Sequence, residues 1–104
     1  MSETFYVTTP IYYVNGSPHI GHAFTSVMAD ILKRNRQALG YDMMLSTGVD
    51  EHGQKNQEAA EKEGMSVEDY LNMRCAEFRD VFDRLDVAYD YFVRTSREGH
   101  KTAV

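Results

Sequence analysis

With 104 residues, 42% of them hydrophobic and 26% charged, the chain has room for one small domain and little more. A formal charge of -5 speaks against a surface built mainly to grip nucleic acid, and no apolar run approaches the roughly 20 residues of a membrane span. Cys75 stands alone and cannot close an intramolecular disulfide, and no basic, apolar leader opens the chain, so the reading is a cytoplasmic protein with Cys75 buried on a helix face.

Residues Phe5 to Thr9 are β-branched or aromatic and stop at Pro10, which predicts a buried strand. Ser17 is placed to cap a helix whose first position is Pro18. Ile20, Ala23, Phe24, Val27, Met28, Ile31 and Leu32 then recur at helical spacing and predict its buried face, with Gly40 ending it. Lys33-Arg34-Arg36, near the end of this helix, reads as a solvated, dipole-favoured terminus. Met43 to Thr47 predict a second strand closing on Gly48. Residues 5–48 thus form a β-α-β unit with parallel strands and a right-handed crossover.

Beyond it, Gln54 to Glu63 predicts a short polar helix stopped by Gly64, and Glu51 with Lys55 reads as an i,i+4 surface pair. Ser66, with Asp69 three residues on, caps a longer helix whose apolar face is Val67, Tyr70, Leu71, Phe78, Val81, Phe82 and Leu85. Tyr89 to Val93 reads as a strand or an extended connection, and Ser96 as the cap of a further helix. The fold class is α/β, built on a parallel sheet.

In open parallel sheets ligands bind outside the carboxyl ends of the strands. Two polar loops lie there: Pro10 to His22 after the first strand, and Gly48 to Gly53 after the second. His19 and His22 sit three residues apart where a helix begins. Such a terminus offers unpaired N–H groups and a positive dipole end to phosphates, and imidazoles can add hydrogen bonds to charge developing on a phosphoryl group. Taken as residues alone, the pair is equally open to a capping or core-edge role. Zinc is the poorer reading, since helical zinc histidines are usually i,i+4 with a Glu. Gly21 costs about 1 kcal/mol against alanine inside a helix, which calls for close packing or close approach of a ligand. Asp50 by itself reads as a turn or capping residue, and His52 as support for its loop.

The literal run His19-Ile20-Gly21-His22 resembles the HIGH motif of class I aminoacyl-tRNA synthetases. Its flanks, Thr8-Thr9-Pro10-Ile11-Tyr12-Tyr13-Val14-Asn15 and Thr47-Gly48-Val49-Asp50-Glu51-His52-Gly53-Gln54-Lys55, are similar to the methionine-specific branch of that family. The resemblance covers essentially the whole chain. It implies the first half of a Rossmann-like, nucleotide-binding catalytic domain over residues 1–104, with the HIGH region at 13–23. It also implies the activity of a ligase that joins methionine to ATP as methionyl-adenylate and then to tRNA. By resemblance, His19 and His22 bind the ATP phosphates and are catalytic, Gly21 lets adenine approach, Asp50 takes the ammonium of methionine, and Ile11 and Tyr13 line its side-chain pocket. Magnesium would accompany ATP, and zinc would belong to a connective domain that these residues do not include.

No Lys-Met-Ser-Lys-Ser loop, far pocket wall or anticodon-binding domain is present in the sequence. The expectation is an incomplete catalytic half, inactive alone and prone to self-associate through an uncovered sheet edge. Isoleucine, valine and leucine enzymes usually carry Trp before the Asp where this chain has Val49. The competing classes are a standalone adenylyltransferase-like module and a non-enzymatic fragment that docks on a parent synthetase.

Overall fold

One strand, β3, organises the sheet in a computed structural model that describes residues 3–104. In chain order the elements are β1 (Thr4–Thr8), β2 (Tyr12–Tyr13), α1 (Ile20–Ala38), β3 (Asp42–Asp50), α2 (Gln54–Lys62), α3 (Val67–Arg84), β4 (Tyr91–Arg94) and α4 (Glu98–Ala103). β1, β2 and β4 all pair with β3, and all in parallel. Ser46 has partners in both β1 and β4, and Val49 in both β2 and β4, so β1 and β2 run along one edge of β3 and β4 along the other.

The strand expected to stop at Pro10 therefore resumes. Pro10 has no N–H to give a ladder. The ladder reaches Thr9, whose N–H donates to Ser46 O at 3.0 Å, and is taken up again where Tyr12 pairs with Val49. Thr9, Pro10 and Ile11 lie opposite only Thr47 and Gly48, which is one extra residue and thus a bulge.

The core gathers on the sheet face that carries Leu45 and Val49, against Tyr70, Cys75, Phe78 and Phe82 of α3, with Val27 of α1 packed beside them. Cys75 is buried in a helix face, as its residue type suggested, and that burial pushes its thiol pKa up. Gly48 is required at its position, because a Cβ there would collide with the backbone of Val93 in β4.

α1 forms over the expected span but turns a different face inward. Ile20, Phe24, Met28 and Ile31 are exposed, Ile20 at 87%, while Ser26, Asp30 and Lys33 are buried. The reason is a polar tether. Lys33 Nζ donates to Ala88 O at 2.6 Å and pairs with Asp90 at 2.9 Å, and Asp30 accepts the Ala88 N–H at 2.9 Å. Arg34 in turn bonds Asp30 and Asp86 O. Lys33 and Arg34, read as part of a solvated helix end, instead clamp α1 to the segment leading into β4, while Arg36 lies over the Phe5 and Tyr41 rings.

Helix caps divide in the same way. Ser66 caps α3 as read, accepting the Asp69 N–H at 3.2 Å. Ser17 instead accepts from Arg74 at 2.7 Å, and α1 begins after His19. Ser96 donates to Glu51 at 2.8 Å, leaving Arg97 at the start of α4 with no side-chain cap. Arg74 takes the Ser17 oxygen that a cap would use, while the Ser96 hydroxyl is directed to the Glu51 carboxylate as a donor.

Candidate nucleotide and amino-acid site

The start of α1 is built by the two histidines themselves. His19, with extended backbone (φ -127°, ψ 179°), is the N-cap, and its Nδ1 accepts the Gly21 N–H at 3.0 Å. His22 reaches back, and its Nδ1 accepts the His19 N–H at 3.0 Å. This is a capping box made of imidazoles. The rings stack with centroids 3.8 Å apart, and His22 also meets the edges of Tyr12 at 4.8 Å and Phe78 at 4.9 Å.

An Nδ1 that accepts carries no proton, so in the neutral ring the proton sits on Nε2. Each histidine therefore commits one nitrogen to holding the helix end and keeps an N–H on the other, away from that bond. Burial first, and the neighbouring His19 second, lower the pKa of His22. Both causes favour the neutral, Nε2–H form. Gly21 is explained within this device, because a Cβ there would stand 2.9 Å from His19 Cε1 and 3.0 Å from its Nδ1.

The second loop closes β3. Asp50 is in register with Tyr13 across the β2–β3 pairing, and neighbours in parallel register share a face of the sheet. Tyr13 is 67% exposed and borders a cavity of about 450 Å³ with Asn15, His52, Gly53, Lys55 and Asn56. Ile11 is 43% exposed. Asp50 is half-buried, and its Oδ1 accepts the His52 N–H at 3.2 Å. The histidines and Asp50 thus approach the carboxyl end of β3 from opposite faces: Tyr12 links the sheet to His22, and Tyr13 stands beside Asp50. No hydrogen bond joins the two groups among the described residues.

What residue reading missed is the support beneath Asp50. Glu51, its side chain fully buried, pairs with Arg94 at 2.7 Å and accepts from Ser96. Its N–H donates to Thr95 Oγ1 at 2.8 Å, and His52 Nε2 lies 3.1 Å from Thr95 O. Arg94 also donates to Asn72 at 2.8 Å. Burial raises the Glu51 pKa, but the Arg94 and Ser96 hydrogen bonds and the Arg94 charge outweigh it and leave the pKa lowered. Glu51 is therefore no surface partner of Lys55. The signal that finds the pair is the β3–β4 register, which sets Val49 beside Arg94 and so brings Arg94 to Glu51. His52 supports its loop, as its neighbours suggested.

Among the described residues no group of three His, Cys, Asp or Glu side chains could hold a metal ion, and no helix is long and apolar enough to cross a membrane.

Comparison with known proteins gives the family and the fold. Residues 5–104 match the family model described as tRNA synthetases class I (M). A methionine–tRNA ligase of Fusobacterium nucleatum is 43% identical over 104 residues, covering 100% of this chain and 16% of that protein. A probable mitochondrial methionine–tRNA ligase of Dictyostelium discoideum is 47% identical over 98 residues, 94% of this chain and 17% of that one. The Mycobacterium tuberculosis methionyl-tRNA synthetase in complex with methionyl-adenylate superposes with a TM-score of 0.95 at 34% identity, over 97% of this chain and 20% of its own. The chain thus spans about a sixth of the curated relatives it matches. With its imidazole capping box, its parallel sheet and a family match running almost end to end, the chain belongs to the class I aminoacyl-tRNA synthetases of the methionine branch.

Proposed function

We propose that this chain supplies the amino-terminal half of a catalytic domain that activates methionine with ATP and passes it to tRNA in the cytoplasm. In the first step a methionine carboxylate oxygen attacks the α-phosphorus of ATP. The bond from that phosphorus to the bridging oxygen breaks, and pyrophosphate leaves. The observation that carries the reading is the imidazole capping box, which commits both Nδ1 atoms to the start of α1 and leaves an Nε2–H donor on each neutral ring beside a helix N-terminus.

In this reading His19 and His22 donate to the phosphates as negative charge builds on them, and both are catalytic. The Gly21 backbone lies where adenine approaches. Asp50 takes the methionine ammonium, a charge-assisted contact, while Tyr13 and Ile11 pack the thioether side chain. Magnesium enters with ATP as part of that substrate. Among the described residues no carboxylate cluster is available to hold it, and no step is drawn through it. In isolation the chain self-associates through the exposed α1 stripe and the outer sheet edge, and sedimentation tests that.

The experiment is a thermal melt followed by circular dichroism, with and without a non-hydrolysable methionyl-adenylate analogue. A cooperative transition raised by the analogue supports a usable half-site. A cooperative transition the analogue does not move refutes binding by this half.

A further inference from the structure

Ser26, in the middle of α1, is fully buried, and its hydroxyl lies 3.0 Å from that of Tyr12, a hydrogen bond either group can donate. Serine is a modest helix former and its buried hydroxyl needs a partner, so packing alone would favour alanine here. Ser26 follows His22 by four residues, which puts the two on one face of α1, a turn apart. Tyr12, itself buried on β2, lies across that turn. Its hydroxyl meets Ser26, and its ring meets the His22 ring at 4.8 Å and 68°. Phe78 of α3 is nearly parallel to Tyr12, at 6.1 Å and 15°, and meets His22 at 4.9 Å and 66°. Burial falls along this line: Ser26 and Tyr12 are buried, His22 is half-buried and His19 is exposed.

We propose that Tyr12, pinned by Ser26, is a positioning residue for the histidine pair: it fixes the rotation of the His22 ring and, through the 3.8 Å stack, that of His19. The terminal torsion of a histidine is intrinsically broad, so the single hydrogen bond to Nδ1 leaves the ring room to turn. Rings set at steep angles to it, as Tyr12 and Phe78 are, take that room away. The direction of each Nε2–H is thereby set from the core rather than from the exposed helix end. Aim matters, since a misplacement of about 1 Å can cost on the order of 10²-fold in rate. The inference rests on the proposed function only in taking the Nε2–H groups as donors to the reacting phosphates; the ring geometry stands apart from it.

The test joins kinetics to spectroscopy. In an enzyme-length chain, ATP–pyrophosphate exchange reads kcat and the KM for methionine. Tyr12→Phe and Ser26→Ala delete the same hydrogen bond, so each should lower kcat by about threefold to tenfold with KM unchanged, and the double variant should be no worse than either. Tyr12→Leu, which removes the ring as well, should lower kcat by about 30-fold, and phenylalanine at the same position should recover most of that. Val87→Ala truncates a buried core side chain that makes none of these ring contacts. It should lower the melting temperature and leave kcat alone. In this chain, nitrogen-15 histidine spectra should show His22 as the single Nε2–H tautomer, and Tyr12→Leu should mix the tautomers. Unchanged kcat in Tyr12→Leu, losses that multiply in the double variant, or an equal kcat loss in Val87→Ala would each overturn the inference. A parent enzyme-length chain that makes no adenylate removes the proposed function instead. The tautomer then decides alone: a His22 that stays wholly Nε2–H in Tyr12→Leu overturns the positioning role, and a mixture upholds it.

Discussion

His19 and His22 hold each other in place: His22 Nδ1 accepts the His19 N–H, and the two rings stack 3.8 Å apart. The cap uses Nδ1 of each ring and leaves Nε2 uncommitted, so a substitution can separate capping from the donor role proposed for Nε2. In a chain completed to enzyme length, His19→Asn should keep an N-cap acceptor, since asparagine is among the best caps. It removes the Nε2 donor. The melting temperature should stay close to the parent value while kcat for adenylate formation falls by about 10²-fold, as for loss of one donor to developing charge. His22→Ala should lose both the back-bond and the donor, with methionine affinity little changed. ATP–pyrophosphate exchange beside a thermal melt reads both, and unchanged exchange kinetics would refute the catalytic role.

Acid should dismantle this device. The His22 pKa is lowered by burial and then by His19, so the neutral form is the one the fold favours. The stability it contributes is whole above the ordinary histidine range and is lost as pH falls through the lowered folded value. Protonation converts Nδ1 from acceptor to donor, and the His19 N–H loses its partner. Nuclear magnetic resonance titration should find a His22 midpoint below the ordinary histidine value. A midpoint above it would contradict the bonded geometry.

Gly21→Ala sets helix propensity against ring placement. Alanine alone would add about 1 kcal/mol to an interior helix position. Here its Cβ would stand 2.9 Å from the His19 ring, which is a side chain free to swing away. Denaturant unfolding should show little loss or a small gain, while adenylate formation drops because His19 has left its cap. Unimpaired activity would show that the ring position does not matter.

The residues show plainly why some of this could be read ahead and some could not. The strand–loop–helix run around His19 and the loop at Asp50 are local, and turn chemistry with helical spacing places them. The periodicity of α1 was legible too, yet its orientation was not. Lys33 and Asp30 found partners at Asp90 and Ala88, far along the chain, and that tether rolled the apolar stripe outward. Ser17 and Ser96 look as good as Ser66 for capping until Arg74 and Glu51 arrive from elsewhere. The Glu51–Arg94 pair depends wholly on sheet register.

That pair makes a further expectation about Asp50. Asp50→Asn keeps an oxygen to accept the His52 N–H but removes the charge, so in an enzyme-length chain KM for methionine should rise about tenfold to 100-fold with stability intact. Arg94→Ala strands a buried carboxylate and should cost about 3–5 kcal/mol in urea unfolding. Because the Glu51 pKa is lowered, its contribution is present above the ordinary carboxylate range and is lost as pH falls through the lowered value. Glu51→Gln should flatten that acid-side decline, and an unaltered pH profile would count against the pairing.

The extra residue at Pro10 and Ile11 has a further effect, on the phase of the pleat. Side chains along a strand alternate between faces, and Val7 and Thr9 point with Leu45 and Thr47 toward the helices. Without the insertion that parity would carry Ile11 and Tyr13 inward and turn Tyr12 out. One inserted residue reverses the count, so Tyr12 packs beside His22 and Tyr13 opens onto the cavity next to Asp50. Two identical neighbours thus face opposite sides of the sheet, and which tyrosine faces which is decided by a single skipped beat in the strand before them.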